Sequence, residues 1–547
     1  MAILDSSHFS RLEMSSFPSL FPSSSAFRFS LSLQSWLILS SFVLVFFLLR
    51  ASLCRQWRRL RSGLPLPPGP KGFPVIGNLL DVPTEFPYLV YNDWASKYGD
   101  VIYFEALGQP MLVLNSHSAV LDLYEKRAPT FSDRPVNPAF EIMNYNWMFS
   151  TMSYNPWWRL HRRTFHQFFH QREIQKYRPI LQQEALVFLR RLSANPKSFL
   201  QDTRWFFGSV IIWISYGVND PEYNKSLIEK AEVMIKGFSE AALPGQFLVN
   251  VFPSLSYVPT WFPGTGWKKR LLHLAEETTN ALVDTWNDAK ERVRNGYQSE
   301  YPNVATGLIQ SLPDEDHPEY ADKEIVARNT SVISYAAGAD TTVSSAHALF
   351  LALAMNPQVQ LRAQEEIDAV VGTDRLPTPD DVARLPYIQA IVKELTRWHT
   401  VAPLGVPRIS REDAEYRGYF IPKGTILFAN TWAIMHNPEV FENPMEFNPE
   451  RYLKDGKINP NVLDPEAAAF GYGRRICPGR YLSNEALGYF AASLLSVFDV
   501  KPPKDEFGNR VQLSLTIASP KELMATPTPF ECEITPRSSR HLTLLSD

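Results

Sequence analysis

The stretch "AFGYGRRICPGRYLSNEALGYF", from Ala469 to Phe490, decides the fold. It places Cys477, one of 3 cysteines in 547 residues, between glycine turns, beside two arginines and before an apolar segment with helical spacing. An unpaired cysteine usually belongs to a buried core. At a helix N-terminus, however, peptide N–H groups and the helix dipole favour a thiolate that can bind a metal. The rest of the chain has to distinguish these two interpretations.

Composition excludes several classes of protein. Apolar residues make up 45% of the chain and aromatic residues 13%, which is ample for a large core and argues against global disorder. A formal net charge of −3 gives no reason to expect nucleic acid as a partner. Cys54, Cys477 and Cys532 are too few and too scattered for a disulfide framework, and their use fits a reducing compartment.

The N-terminal region has the pattern of a membrane anchor. Residues 1–28 are rich in serine, and we expect them to be disordered. Residues 29–49 carry no charged side chain and can just cross a hydrocarbon core of about 30 Å as a transmembrane helix. The arginines that follow are Arg50, Arg55, Arg58, Arg59 and Arg61. This order places the downstream chain in the cytoplasm, whereas a cleaved signal peptide carries its charges before the apolar run.

The remaining chain is expected to form one large domain behind a hinge. Residues 50–78 are basic and then proline-rich, which predicts a stiff, extended hinge. Residues 79–547 show no fixed-period repeat and no second linker of this kind. Helical spacing dominates, with short strand-like pieces near Val101 and Pro110, so the predicted fold class is mainly α with a minor β-sheet.

Residues 325–355 predict one long helix that is buried on nearly all sides. The segment "AGADTT" at residues 337–342 interrupts its apolar pattern. Gly338 costs roughly 1 kcal/mol relative to alanine, and Asp340 is costly unless it is paired or hydrated. Thr341 can bond back to the carbonyl of Ala337. The interruption fits either a kinked structural helix or a groove that admits a small molecule beside a proton-carrying acid and alcohol.

A second predicted helix contains "KELTRWHT", with Glu394 and Arg397 three residues apart on one face. The later segment "FNPERYL" supplies Arg451. Two arginines and one glutamate can form a bidentate network that ties a loop to a helix.

Phe470, Gly473, Arg475, Cys477 and Gly479 form the pattern F-x-x-G-x-R-x-C-x-G. With "AGADTT", Glu394-x-x-Arg397 and "FNPERY" in the same order, the chain resembles the cytochrome P450 family of haem-thiolate monooxygenases, of the microsomal type, from the apolar segment to near the C-terminus. Its motif style is similar to fungal members that oxidise polyketides and other secondary-metabolite skeletons.

The resemblance implies a cofactor and a role for each motif residue. Cys477 would be the axial thiolate ligand of haem b, in a loop with Phe470 and Gly479. Asp340 and Thr341 would deliver protons. The structural triad that supports the haem-binding loop would comprise Glu394, Arg397 and Arg451. The implied partners of the haem propionates are Trp158, Arg162, Arg408 and Arg475.

The resemblance also implies the source of electrons and the location. NADPH would supply electrons through a separate NADPH-cytochrome P450 reductase, with cytochrome b5 as a further candidate partner. The sequence contains no G-x-G-x-x-G fingerprint after a predicted strand, the motif that would bind the nucleotide directly. The chain would be a single-pass protein of the endoplasmic reticulum membrane, and its cytoplasmic domain would insert one oxygen atom into a C–H or C=C bond.

Three apolar stretches are candidate walls of a substrate site: residues 137–150, 237–252 and 401–406. The first holds the side chains Phe140, Met143, Tyr145, Trp147, Met148 and Phe149. Such a lining favours an apolar, aromatic or polycyclic guest, although the same residues fit an ordinary core. Detoxification of foreign compounds and a dedicated biosynthetic step both stay open.

Two other functions are compatible with a haem-thiolate loop. One is an isomerase or dehydratase that rearranges a peroxide without a reductase, and the other is a non-catalytic haem carrier or sensor. The pair Asp340 and Thr341 favours activation of molecular oxygen over both.

Several residues outside these motifs are expected to be structural. His161, His166 and His170 have no acidic metal-binding partner in sequence, so we interpret them as surface or core histidines. Asn224 and Asn329 begin glycosylation sequons that a cytoplasmic domain would leave unmodified.

Overall fold

The computed structural model describes residues 63–74, 76–242, 246–250 and 252–546, together with Phe46, Arg50 and Leu53. The expected N-terminal extension, Cys54 and nearly all of the expected anchor lie outside the described residues. Among the described residues, no helix combines the length and the apolar composition needed to cross a bilayer. The chain from Leu64 onward forms one compact unit.

Helices account for most of the secondary structure of the described residues, which confirms the mainly α fold class. The α-helices are α1 (Pro87–Tyr98), α2 (His117–Leu121), α3 (Ala128–Phe131), α4 (Pro138–Ile142), α5 (Pro156–Phe169), α6 (Arg178–Ala194), α7 (Phe199–Tyr216), α8 (Pro221–Ala242), α9 (Gly266–Arg294), α10 (Val304–Gln310), α11 (Tyr320–Met355), α12 (Pro357–Val370), α13 (Pro379–Val382), α14 (Pro386–Trp398), α15 (Thr431–Met435), α16 (Glu466–Ala469), α17 (Arg480–Val497) and α18 (Ser539–Thr543).

The strands form small sheets. They are β1 (Val101–Ala106), β2 (Gln109–Leu114), β3 (Arg408–Ile409), β4 (Ala414–Tyr416), β5 (Tyr419–Ile421), β6 (Ile426–Ala429), β7 (Leu453–Lys454), β8 (Lys457–Ile458), β9 (Phe498–Lys501) and β10 (Glu533–Pro536). A four-stranded sheet has the order β1-β2-β6-β3, and β2 pairs with β6 in parallel while the other two pairings are antiparallel. Both strand-like pieces predicted near Val101 and Pro110 are confirmed.

The long helix predicted over residues 325–355 is confirmed as α11, which packs against α5, α7, α8, α9, α14 and α17. Nearly all of its residues from Val326 onward are buried. Gly338 is explained by this packing, because a Cβ atom there would lie 2.9 Å from Cγ1 of Ile211 on α7. Close approach of α7 therefore requires glycine at the centre of α11.

The proline-rich segment that we expected to act as a hinge lies against the body of the chain. The amide of Tyr103 donates to the carbonyl of Pro68 at 2.8 Å, and the amide of Phe420 donates to the carbonyl of Pro65 at 2.8 Å. As expected, the described residues from 64 to 78 form no helix or extended strand ladder; Phe73 and Gly77 form an isolated bridge, and Gly77 forms another with Ala106.

Candidate active site

The loop before α17 is shaped by its glycines. Gly471 has φ +80 and Gly473 has φ +52, conformations that favour glycine, and a Cβ atom on Gly473 would approach the carbonyl oxygen of Tyr124 to 2.7 Å. The amide of Cys477 donates to the carbonyl of Phe470 at 2.7 Å and closes the loop. Gly479 differs from our expectation, because its φ of −85 is open to any residue, and a Cβ atom there would lie 3.9 Å from the Cys477 sulfur.

Cys477 faces a cavity just before the N-terminus of α17, as the sequence predicted. Burial raises the pKa of its thiol above the ordinary value. The backbone N–H groups of Gly479 and Arg480 and the charges of Arg162 and Arg480 act in the opposite direction but are outweighed. The helix terminus alone therefore does not hold the thiolate. A bound metal cation would, since coordination deprotonates a thiol.

The cavity has a volume of about 360 Å³ and lies between α5, α7, α8, α11, the turn after α14 and the cysteine loop. Its apolar walls come from distant parts of the chain. They include Phe149, Phe207, Ile235, Phe238, Ile333, Leu404, Val406 and Met524. Among the described residues that line it, none is an aspartate or a glutamate.

Four arginines line one part of this cavity: Arg134, Arg162, Arg408 and Arg475. Three of them donate to backbone carbonyls, as in the bonds from Arg475 to Ser132 at 2.8 Å and to Met152 at 2.7 Å, from Arg408 to Tyr472 at 2.6 Å and from Arg134 to Val406 at 2.6 Å. No carboxylate of the described residues forms a salt bridge with any of the four. A cluster of largely buried cations that forms no salt bridge indicates a site for an anion.

Burial lowers the pKa of these guanidinium groups, to about 9 for Arg475 and about 10 for Arg162 and Arg408, and repulsion between neighbouring arginines adds to the effect at Arg475. They still carry positive charge at neutral pH. A bound dianion or pair of carboxylates would relieve the desolvation and repulsion together.

Trp158 lies at the start of α5, beside the four arginines of the cavity, which we call the arginine group. The side chain of Asn155 caps the helix by accepting the amide of Trp158 at 2.8 Å. The Arg475 guanidinium lies 4.3 Å from the centre of the Trp158 ring. The indole Nε1 is buried and has no hydrogen-bond partner within the described chain, although Trp158 lines the cavity. Such an orphaned donor indicates a missing acceptor.

Sequence reasoning placed Trp158, Arg162, Arg408 and Arg475 in this group and missed Arg134. Arg134 is 8% exposed and donates to the carbonyls of Ser150, Val406 and Pro407, so it joins two walls of the cavity. The only signal in sequence was an arginine inside the short segment "FSDRPVN", which carries no spacing rule that we could use.

Glu394, Arg397 and Arg451 form the predicted triad. Arg397 binds both carboxylate oxygens of Glu394 at 2.8 Å, and Arg451 Nε lies 3.1 Å from Glu394 Oε2. Arg397 also donates to the carbonyls of Met435, Pro444 and Glu446. The triad thus ties α14 to residues 435–451 rather than to the cysteine loop itself.

Asp340 and Thr341 of α11 have separate environments. The hydroxyl of Thr341 donates to the carbonyl of Ala337 at 3.0 Å, as predicted, and Thr341 lines the cavity. Asp340 does not line it; its carboxylate binds Arg204 of α7 at 2.8 Å, and the same guanidinium nitrogen lies 2.8 Å from Glu232 of α8. Of the acid and the alcohol expected beside a groove, only Thr341 therefore lines the cavity, because Arg204 of α7 binds Asp340.

The candidate walls were predicted with mixed success. The turn after α14 contributes Val401, Ala402, Leu404, Gly405 and Val406 to the cavity. Of the described residues, the first stretch contributes only Met148, Phe149 and Ser150 to the cavity, and the second contributes only Phe238. Others pack within the core; for example, the ring of Phe140 stacks on Phe238 with centroids 5.3 Å apart.

Residues expected to be structural are consistent with that role. His161 is buried, and its ring nitrogens contact the carbonyl of Trp157 and the amide of Asn329. Asn224 and Asn329 are 1% and 3% exposed, which leaves no room for a glycan in this fold. Burial raises the pKa of the Cys532 thiol to about 12 and makes it inert.

The donor set fits haem b. A haem-thiolate centre needs a cysteine sulfur, which Cys477 would supply. The two propionates need cations and neutral donors, which the arginine group and the Trp158 indole supply without an acidic competitor. The remaining lining is mostly apolar, with interspersed hydroxyl side chains such as Thr341 and Ser345, and suits a porphyrin plane and an apolar guest. These features define a haem-thiolate oxidoreductase site.

The comparisons with known proteins agree with this site. The family model described as "Cytochrome P450" matches residues 67–526, and the chain belongs to the cytochrome P450 family. It is 52% identical to cytochrome P450 monooxygenase COX1 of Coprinopsis cinerea over 94% of this chain and 99% of that protein. Cytochrome P450 monooxygenase COX2 of the same organism is 42% identical, over 89% of this chain and 92% of that protein.

A further relative has a more specific name. Tryptamine 4-monooxygenase of Psilocybe cyanescens is 36% identical, over 89% of this chain and 96% of that protein. The relatives named here are fungal monooxygenases. The chain is accordingly a monooxygenase that binds haem b through a cysteine thiolate and uses NADPH through a redox partner.

Proposed function

We propose that this monooxygenase inserts one oxygen atom of O₂ into a neutral, apolar substrate with an aromatic or polycyclic skeleton. The observation that carries the proposal is the cavity lining, which is mostly apolar away from the arginine group and contains no carboxylate among the described residues. Apolar walls favour an apolar guest through burial of its surface. A cationic amine would find no carboxylate among the described lining residues to act as its counter-ion.

Haem b, when bound, supplies the activation of oxygen. The protein orients the substrate through its apolar walls, excludes water from them and delivers protons. Thr341 is suited to the last task because it lines the cavity and carries a hydroxyl, which donates to the Ala337 carbonyl in this structure and would turn toward the cavity to pass a proton. Arg204 donates a hydrogen bond to the Asp340 carboxylate at 2.8 Å. Asp340 would therefore exchange protons with Thr341 only after release from Arg204.

Turnover provides the experiment that tests this function. We would supply the purified chain with NADPH, reductase and ¹⁸O₂, and offer a neutral polycyclic hydrocarbon and tryptamine as parallel substrates. We expect one ¹⁸O atom in a product of the hydrocarbon and no product from tryptamine. Oxidation of tryptamine with no reaction of the hydrocarbon would contradict the neutral-substrate proposal.

NADPH-cytochrome P450 reductase is the proposed electron donor, and cytochrome b5 a proposed accessory one. The support is a basic surface on α5, where Arg159 and Arg163 are exposed on the helix that also contributes Arg162 to the cavity. Positive surfaces steer acidic partners and make association sensitive to salt. Raising the ionic strength should slow reduction of the haem by reductase, and an Arg163→Ala variant should show a weaker salt dependence.

We also propose that the chain is anchored in the endoplasmic reticulum membrane by residues 29–49. Support comes from the uncharged segment and the arginines after it, and from exposed aromatic side chains after α8, with Tyr257 87% and Trp261 79% exposed. Tyrosine and tryptophan are favoured at membrane interfaces. Full-length protein should resist extraction by alkaline carbonate, whereas a chain lacking residues 1–61 should be released. Release of the full-length chain would contradict an integral anchor.

Secondary-metabolite biosynthesis is the proposed setting, supported by the fungal origin of the relatives and by the neutral polycyclic guest that the cavity favours.

The alternative function, rearrangement of a peroxide, predicts a different result in the turnover assay. It requires product from an organic peroxide without NADPH or reductase, and a haem carrier gives product under neither condition. The same assay with each component omitted in turn therefore distinguishes all three functions.

A further inference from the structure

Two segments that line the cavity are joined to the central helix by one buried cluster of hydrogen bonds. The first is the turn after α14, which contributes Val401. The second is the segment before β10 that contributes Met524, more than 120 residues later in sequence. The amide of Ala525 donates to the carbonyl of Val401 at 2.8 Å, so the two walls meet directly.

Ser344 of α11 forms hydrogen bonds with both segments. Its hydroxyl Oγ donates to the carbonyl of Ala525 at 2.6 Å and lies 2.8 Å from Nε2 of His399. Because the only hydroxyl proton of Ser344 is directed to Ala525, Oγ accepts from His399, which assigns the proton to Nε2 of the imidazole. Ser344, His399 and Ala525 are 3%, 2% and 5% exposed, so water does not compete for these bonds.

The chemistry of His399 suits a fixed donor rather than an acid or base. Burial lowers the pKa of His399 to about 4, and the neighbouring His347 and His436 act in the same direction. The imidazole therefore stays neutral at physiological pH and keeps one donor and one acceptor. His399 itself lines the cavity.

We propose that Ser344 and His399 are positioning residues that set the shape of the substrate space by fixing the Val401 and Met524 walls against α11. The walls themselves are apolar, and apolar contacts are non-directional and tolerate sliding. Hydrogen bonds have strict geometry and therefore fix the position of the two segments along α11. The monooxygenase activity requires such a fixed wall, because the bond that is oxidised is selected by the orientation of the guest.

Ligand binding tests the proposal without any assumption about the natural substrate. Imidazole is small and contacts few groups beyond the iron, whereas 4-phenylimidazole extends toward the walls, and both are followed by the shift of the haem absorption band. In Ser344→Ala and His399→Leu we expect 4-phenylimidazole to bind about tenfold more weakly, the effect of one lost hydrogen bond. Imidazole should bind as to the wild type.

Controls separate positioning from general stability. His399→Gln keeps a donor near the position of Nε2 and should retain most of the affinity for 4-phenylimidazole. Ser496→Ala removes a comparable buried hydroxyl, which donates to the carbonyl of Ser493 at 2.8 Å on α17, and should change neither ligand. If Ser344→Ala does not retain haem, Ser344→Cys preserves the volume and takes its place in the comparison.

Equal weakening of both ligands, or unchanged binding of both, would overturn the proposal, because positioning of the walls requires a selective effect. Failure of His399→Gln to bind better than His399→Leu would also overturn it. A failed search for a neutral hydrocarbon substrate would leave these binding ratios unaffected, so the two proposals fail separately.

Discussion

The guanidinium of Arg397 forms a bidentate salt bridge with the carboxylate of Glu394: Nε lies 2.8 Å from Oε2 and Nη2 lies 2.8 Å from Oε1. Both side chains are 0% exposed. The remaining donors of Arg397 reach three backbone carbonyls between Met435 and Glu446. A buried ion pair with every partner satisfied specifies one arrangement of α14 and the segment that follows α15.

Removal of one member of this pair should be far more damaging than removal of an exposed charge. Glu394→Ala leaves Arg397 buried without a counter-ion, and we expect a loss of about 3–5 kcal/mol in the free energy of unfolding. Arg451→Ala should cost less, because Arg451 is more exposed and Arg397 keeps both bonds to Glu394. Thermal unfolding of haem-loaded variants measures both. Equal stability of the wild type and Glu394→Ala would contradict this role.

The indole of Trp158 should hold the haem by its unpartnered N–H. Trp158→Phe keeps the ring contact with Arg475 but removes the donor, so we expect haem to leave the protein about tenfold faster, for one lost charge-assisted bond. Transfer of haem to excess apomyoglobin gives this rate. Trp157→Phe is the matched control on the same helix and should show the wild-type rate, since Trp157 does not line the cavity. Identical rates in both variants would argue against a Trp158–propionate bond.

The hydroxyl of Thr341 should determine how efficiently electrons become product. Thr341→Ala removes the hydroxyl that faces the cavity, and we expect hydrogen peroxide per NADPH to rise severalfold, because proton transfer of this kind contributes roughly 100-fold or more to a rate. Thr341→Ser keeps the donor and should stay close to the wild type. The ratio of peroxide to product is the measurement, and an unchanged ratio in Thr341→Ala would count against proton delivery.

Glu184 should make stability depend on pH. It is 3% exposed on α6, and burial raises its pKa from 4.5 to about 7 in the folded chain. The folded state thus binds this proton more tightly than the unfolded state. The stabilisation is fully present below pH 4.5 and is lost as the pH rises through about 7.

At pH 8 we therefore expect Glu184→Gln to be more stable than the wild type by roughly 2 kcal/mol, with the difference vanishing near pH 4. Chemical unfolding across this pH range measures it. Glu229→Gln, at an exposed position of α8, is the control and should show no such trend. A constant difference at all pH values would contradict the assigned pKa.

Local pattern was sufficient for the features that depend on neighbours in sequence. The α11 helix, its Thr341 bond, the turn before Cys477 and the Glu394–Arg397 pair all involve residues within a few positions of one another. Their geometry follows from helical spacing and from glycine conformation. Contacts between distant segments were harder to foresee.

The features that sequence did not reveal depend on tertiary packing. Asp340 pairs with Arg204, 136 positions away, and so leaves the cavity to Thr341. Arg134 joins the arginine group of the cavity because three backbone carbonyls from separate segments accept hydrogen bonds from it. The raised pKa of the Cys477 thiol also could not be inferred from the helix terminus, since burial outweighs the dipole.

The absorption spectrum of the reduced, carbon-monoxide-bound protein tests the central claim most directly, because a thiolate ligand shifts the main haem band to the red. We expect that band in the wild type and its loss in Cys477→Ala, while Cys532→Ala keeps it because Cys532 does not line the cavity. Persistence of the red-shifted band in Cys477→Ala would show that another group binds the iron and would contradict the account.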